Sequence, residues 1–252
     1  MEKNLSRALL IEFAGTFGLV LFSAGLVCVN QLTTPAQATS TSPLGQHQLG
    51  TFGIALGQGL ILAALLALTA PVTGGYLNPA ITLMLWVFGR VETKRASGLM
   101  AVQFLGGLVA AAWLYFTFDA RVLGTAHFGA PYVNRLAYPE ATQGTLFTCA
   151  SLELTLTFFL VFAIFGLAGS DALKLGLVAG MIATACALFA FPLTGAALNP
   201  ARWLGPTLLG AFTSTHSTYS PWADALVYIV GPILGALAGG YFVFKVYPHA
   251  QG

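Results

Sequence analysis

Apolar residues run along this chain in six long stretches with few polar breaks, at about 7–29, 50–70, 97–118, 146–168, 174–192 and 223–246. Each stretch is close to the ~20 helical residues that a hydrocarbon core of ~30 Å requires. The runs are continuous and not ~10-residue segments of alternating character. They therefore predict membrane-spanning α-helices, not the strands of a barrel. Two shorter apolar pieces, Ile81–Phe88 and Arg202–Leu209, are eight residues each. At 1.5 Å per residue that is ~12 Å, too short to span. Such a piece is either a surface loop helix or a half-helix that re-enters the membrane. Its apolar character favours re-entry, because irregular backbone at membrane depth is tolerated where it lines a water-filled cavity.

The two short pieces follow near-identical segments. Pro71-Val72-Thr73-Gly74-Gly75-Tyr76-Leu77-Asn78-Pro79-Ala80 returns 121 positions later as Pro192-Leu193-Thr194-Gly195-Ala196-Ala197-Leu198-Asn199-Pro200-Ala201, with seven of ten positions matching. Other features recur in the same order. Glu12 and Thr16 in the first span match Glu153 and Thr157 in the fourth, and Gln103-Phe-Leu-Gly106 matches Pro232-Ile-Leu-Gly235. Each half holds three spans, an odd number, so the second half enters from the opposite face. The pattern predicts an all-α membrane protein of six transmembrane helices plus two re-entrant half-helices, built as an inverted internal repeat. The repeats are placed at about 7–118 and 146–246 within a single domain over 1–252. Small residues spaced four apart, Gly53/Gly57, Gly176/Gly180 and Gly235/Gly239, mark close helix crossings. Gly59 and Gly180 each stand 19 residues before their repeat's asparagine, so the second and fifth spans are expected to cross there.

Asparagine favours a helix N-cap and proline the first helical position, so Asn78-Pro79-Ala80 and Asn199-Pro200-Ala201 both read as helix starts. A helix start carries free N–H groups and the positive end of the helix dipole, roughly half a unit charge. Two such ends meeting at mid-membrane would repel cations. If each asparagine oxygen is held by local backbone, both NH2 groups donate to a passing water. That water then points its hydrogens away and interrupts a proton wire. Arg202 follows the second motif, where the first has Ile81. A lone arginine in an apolar segment is costly and by default functional.

These motifs, from about Arg7 to Lys245, resemble the aquaporin (major intrinsic protein) family. The resemblance implies a passive channel, assembled as a homotetramer with one pore per subunit. It implies that Glu12 and Glu153 hydrogen-bond the loops that carry the half-helices, and that four residues form an outer filter. Spacing from the motifs puts that filter at Gln58, Ala187, Ala196 and Arg202. Water-selective members usually place Phe at the first of these positions and His at the second. With an amide and a methyl instead, the ring should be wider and more polar, suiting small uncharged solutes as well as water. Ala196 also occupies the family's mercury-sensitive cysteine position. Other markers are mixed: Trp203 stands where glycerol facilitators carry Asp, and Tyr228 is aromatic as in water channels but is followed by Ile229.

Composition agrees with the pattern. The chain is 57% hydrophobic and 7% charged with a mean hydropathy of +0.81, against roughly 25% charge in soluble domains. With the N-terminus inside, Lys3, Arg7, Arg90, Lys94, Arg95, Lys174 and Lys245 are cytoplasmic and only Arg121 and Arg135 lie in an outer loop, as the positive-inside rule asks. Both termini are thus expected in the cytoplasm, of a plasma membrane or a bacterial inner membrane. Glu12 inside the first span and no clean cleavage site after it oppose a signal peptide. No basic run suggests nucleic acid. Cys28, Cys149 and Cys186 lie in spans without paired spacing, as inert apolar thiols. His47, His127, His216 and His249 are scattered, so no metal site or cofactor is expected. No nucleophile–base pair supports an intramembrane enzyme. The expectation is conduction of water and small neutral solutes across the lipid bilayer. Two alternatives stand: a facilitator for glycerol, urea or metalloid acids with water incidental, and a poorly conducting structural or junctional membrane protein.

Overall fold

The apolar runs form helices because backbone polar groups in a bilayer can be satisfied only within the segment. A computed structural model describes residues 2–32, 49–140, 142–213 and 221–247. His47, His216 and His249 lie outside the described residues. The helices are α1 (Glu2–Leu32), α2 (Gly50–Thr73), α3 (Pro79–Val87), α4 (Thr93–Thr117), α5 (Ala120–Thr125), α6 (Gln143–Gly166), α7 (Ala172–Thr194), α8 (Pro200–Thr213) and α9 (Ala225–Val246). Six of them, α1, α2, α4, α6, α7 and α9, are long and apolar enough to cross a membrane.

Span ends differ from the sequence expectation by a few residues, and at two of them the cause is local. The second and fifth spans run past Pro71 and Pro192 to Thr73 and Thr194, and end on Gly74 and Gly195 in the left-handed region. Each proline removes one intrahelical donor, but the glycine cap re-closes the last turn by donating to Ala70 O and Phe191 O at 3.0 and 3.1 Å. The second half-helix is also longer than expected: α8 has 14 residues against nine in α3. It continues through Pro206 because Gly205 lies directly on the α4 backbone at Gly107, so packing holds the turn that proline weakens.

Packing follows the repeat. In the first half α1 packs on α4 and α2; in the second α6 packs on α9 and α7. Of the half-helices, α8 packs chiefly on α4 of the opposite half, whereas α3 sits between α9 of the opposite half and α4 of its own. The two halves meet along α2 and α7. There a Cβ on Gly180 would fall 2.5 Å from the Gly59 carbonyl, and one on Gly59 would run into the Gly180 carbonyl and Thr184. Glycine at both positions is what allows the backbones to touch. A large apolar core joins Leu66, Leu77, Ile81 and Met84 of one half to Leu160, Val161, Ala187 and Leu198 of the other.

Candidate functional site

Each half-helix begins at its asparagine. Asn78 is extended (φ −151°, ψ 118°), caps α3 by accepting from the Ala80 N–H at 2.9 Å, and donates through Nδ2 to the Leu198 carbonyl at 2.8 Å. Asn199 mirrors it, accepting from Ala201 N–H at 2.9 Å and donating to the Leu77 carbonyl at 2.8 Å. One proton of each amide is therefore committed to the opposite repeat. Each asparagine amide, which offers two donors, is left with one N–H beyond its bond to the opposite repeat.

The carbonyls that receive these bonds sit on left-handed backbone, Leu77 at φ 48° and Leu198 at φ 53°. A non-glycine residue there costs about 1–3 kcal/mol and needs strong surroundings. Buried glutamates supply them. Glu12 Oε1 accepts from Thr73 Oγ1 and Tyr76 N at 2.6 and 3.0 Å, and Oε2 from Leu77 N and Gln103 Nε2 at 2.7 and 2.8 Å. Glu153 accepts from Thr194 Oγ1, Ala197 N and Leu198 N at 2.7, 3.0 and 2.9 Å. The fourth donor is missing in the second half because Pro232 stands where the first has Gln103.

Between the halves lies a narrow cavity of ≈ 60 Å³, lined by Asn78, Asn199, Gln58, Ala196 and Arg202 among others. A cavity needs only about 10–15 Å³ to admit one water, so this one has room for water. Arg202 also lines a vestibule of ≈ 180 Å³ beside α5, and Tyr76 and Ile164 line a second of ≈ 580 Å³ at the opposite end. The narrow cavity adjoins the first vestibule through Arg202 and the second through Tyr76 and Ile164.

The lining is paired by the repeat. Leu19 and Ser23 of α1 correspond to Leu160 and Ile164 of α6, 141 positions on, and Ile81 corresponds to Arg202, 121 on. One end thus carries Ser23, Gln58 and Arg202, and the other Ile164, Tyr76 and Ile81. Sequence reasoning missed Ser23 and Ile164. The signal was present, since Glu12, Thr16 and Ser23 share one helical face, as do Glu153, Thr157 and Ile164.

Of the four expected filter residues, three line the cavity. Gln58 is buried and its Nε2 has no protein partner. Ala196 holds left-handed backbone at φ 48°. Arg202 is buried, and its Nη1 donates to the Gly129 carbonyl at 2.6 Å. Ala187 is not part of the lining; it is buried in the apolar core, because a methyl group is too short to reach the path. The loop beneath Arg202 requires its glycine: Gly129 has φ 70°, and a Cβ there would lie 2.6 Å from the Ala24 Cα. In the same loop burial pulls the His127 pKa below its ordinary value, so the ring, tilted against Tyr132 at 4.8 Å, is neutral at pH 7. Among the described residues no group of acidic, histidine and cysteine side chains could hold a metal ion.

A bundle of apolar spans that encloses a narrow cavity, with two asparagine side chains and an arginine in its lining, has the build of a membrane channel. The family model for the major intrinsic proteins matches residues 1–243. Relatives include aquaporin NIP1-2 of Oryza sativa subsp. japonica, 30% identical over 245 residues that cover 96% of this chain and 71% of that protein. Aquaporin TIP4-4 of Zea mays is 31% identical over 242 residues, covering 93% of this chain and 84% of that protein. The X-ray structure of the aquaglyceroporin from Plasmodium falciparum matches with a TM-score of 0.76 over 98% of this chain and 99% of that chain, at 23% identity. That last likeness concerns the fold alone. The chain belongs to the major intrinsic protein family, whose members are passive channels and not enzymes, and it is an integral multi-pass membrane protein.

Proposed function

We propose that the protein conducts water and small uncharged solutes passively in both directions while excluding protons and ions. The observation that carries this reading is the pair of asparagines at the centre of the path. Each is locked by its own helix start and by the other repeat, and each has one N–H left to donate. A water between them must accept from both sides, which breaks a donor–acceptor chain for protons, while two helix N-termini of roughly half a charge each raise the cost of a cation. Arg202, Gln58 and Ala196 form the filter at one end. With Ala187 withdrawn into the core, that filter is wider than one closed by large side chains. The charge distribution supports placing this end outside, with both termini in the cytoplasm of a plasma membrane or bacterial inner membrane. Homotetramers are proposed from the family.

Stopped-flow light scattering on proteoliposomes mixed with hyperosmotic glycerol tests the reading. Fast shrinkage followed by fast re-swelling is expected, the first from water and the second from the solute. Fast shrinkage with lipid-like re-swelling would make the channel water-selective, with Gln58 closing the opening. Slow shrinkage with fast re-swelling would make it a solute facilitator, and no enhancement of either would favour a structural membrane protein.

A further inference from the structure

The loop that receives Arg202 is tied down by a residue far away in sequence. Asp224, just before α9, is fully buried. Its Oδ1 accepts from Arg135 Nη2 at 2.6 Å, and its Oδ2 from the Val133 backbone N–H at 3.1 Å. Val133 and Arg135 lie four and six residues after Gly129, whose carbonyl accepts from Arg202 Nη1. Between them, Asn134 donates its backbone N–H to Leu193 O at 2.9 Å and its side chain to Pro192 O at 2.8 Å. Val133 itself is buried against Trp203, the residue after Arg202, and Tyr228. Tyr228 in turn donates to the Thr194 carbonyl at 2.7 Å, next to the left-handed turn that carries Ala196.

The loop therefore has two anchors. One is neutral, on the end of α7. The other is ionic, on the start of α9, with one member wholly out of solvent and the side chain of the other 31% exposed. A buried carboxylate that loses its charged partner is strongly disfavoured, so removing either member weakens this anchor. What it holds is the stretch of chain that fixes the height of the Gly129 carbonyl.

We infer that Asp224 is a positioning residue for the pore. Through Val133 and Arg135 it sets the 129–135 loop, the loop sets where the Gly129 carbonyl grips the Arg202 guanidinium, and that grip sets which solutes pass. The inference rests on Arg202 acting as the filter. It makes selectivity depend on an ion pair that does not line the narrow cavity.

The test is a set of double-mutant cycles in proteoliposomes, reading the ratio of glycerol to water permeability so that protein abundance cancels. Asp224→Asn and Arg135→Gln are each expected to change that ratio roughly 3- to 10-fold, toward the lower end of what residues coupled in one hydrogen-bond network show. In an Arg202→Ala background the same substitutions should leave the ratio within about 1.5-fold, since coupling that runs through an absent guanidinium vanishes. Arg135→Lys, which retains the charge, should restore most of the wild-type ratio. Equal changes in both backgrounds, or an unchanged ratio in Asp224→Asn and Arg135→Gln alike, would overturn the inference. If one variant does not fold, the other carries the test, because Arg135 is part-exposed and Asp224→Asn retains an acceptor for Val133. Should Arg202→Ala itself leave the ratio unchanged, the filter reading fails, and that result is separate from a failure of the positioning role alone.

Discussion

At the scale of single residues, the two buried glutamates do most to explain how strained backbone survives at the centre of the path. Each carboxyl group collects donors from its repeat's turn, including the N–H of a leucine in the left-handed region. Replacing Glu153 by Gln puts an amide NH2 against a backbone N–H, and the orphaned donor costs about 1–3 kcal/mol. Glu12→Gln should be milder. Gln103 donates to Glu12 Oε2 and can turn its own amide to accept from the new NH2, a relief that Pro232 denies the second half. Thermal unfolding in detergent should thus rank wild type, Glu12→Gln, then Glu153→Gln; the reverse order of the two variants would contradict this account. A second residue-scale prediction concerns thiols. Cys28 and Cys149 have no exposed surface and Cys186 only 7%, whereas Ala196 lines the path. Mercurials should leave wild-type water flux intact, and Ala196→Cys should make it sensitive. Strong block of the wild type would place a reactive cysteine on the path.

Elements were the most legible level in the sequence, because a bilayer leaves an apolar run little choice but a helix. The six spans were visible from hydropathy, and their ends shifted by a few residues where glycine caps overrode the prolines at 71 and 192. The length of α8 was not visible, since it depends on Gly205 lying against Gly107 of a helix about a hundred residues earlier. The lining was half visible: the motif residues announced themselves, but Ser23 and Ile164 matter only once α1 and α6 turn their faces to the path. At this scale the α2–α7 crossing makes a sharp prediction. Gly180→Ala would set a methyl 2.5 Å from the Gly59 carbonyl and 2.7 Å from the Ala63 Cβ. Overpacking of this kind costs about 1–3 kcal/mol, and the Gly59→Ala clash should be at least as large. Gly124→Ala, with nothing within 4 Å of the added methyl, serves as the matched control. Unfolding temperature and monodisperse yield should fall for the first two and stay level for the third. Unchanged stability in Gly180→Ala would mean that the helices can separate at little cost.

For the whole molecule, selectivity against charge is a sum over parts that the fold brings together from distant sequence. α3 and α8 aim their N-termini at each other from opposite halves, each equivalent to roughly +0.5 charge, and Arg202 adds a full charge at one end. Removing one contributor should leave the others, so Arg202→Ala alone is expected to admit larger neutral solutes yet remain nearly silent electrically. Adding Asn199→Asp removes the positive balance that remains. Aspartate is as good an N-cap as asparagine, so Ala201 keeps its acceptor and α8 keeps its start. The new carboxylate brings −1 against about +1 from the two helix ends, which cancels the barrier where it was highest. It also removes the donor to Leu77 O and sets a carboxylate oxygen against that buried carbonyl, a cost of about 1–3 kcal/mol or more, so monodisperse yield is compared with wild type before currents are read. The double variant should therefore show cation current in planar bilayers and collapse a proton gradient in dye-loaded proteoliposomes, while Arg202→Ala does neither. Cation current of equal size in Arg202→Ala alone would assign the barrier to the arginine and leave the paired helix ends a structural role.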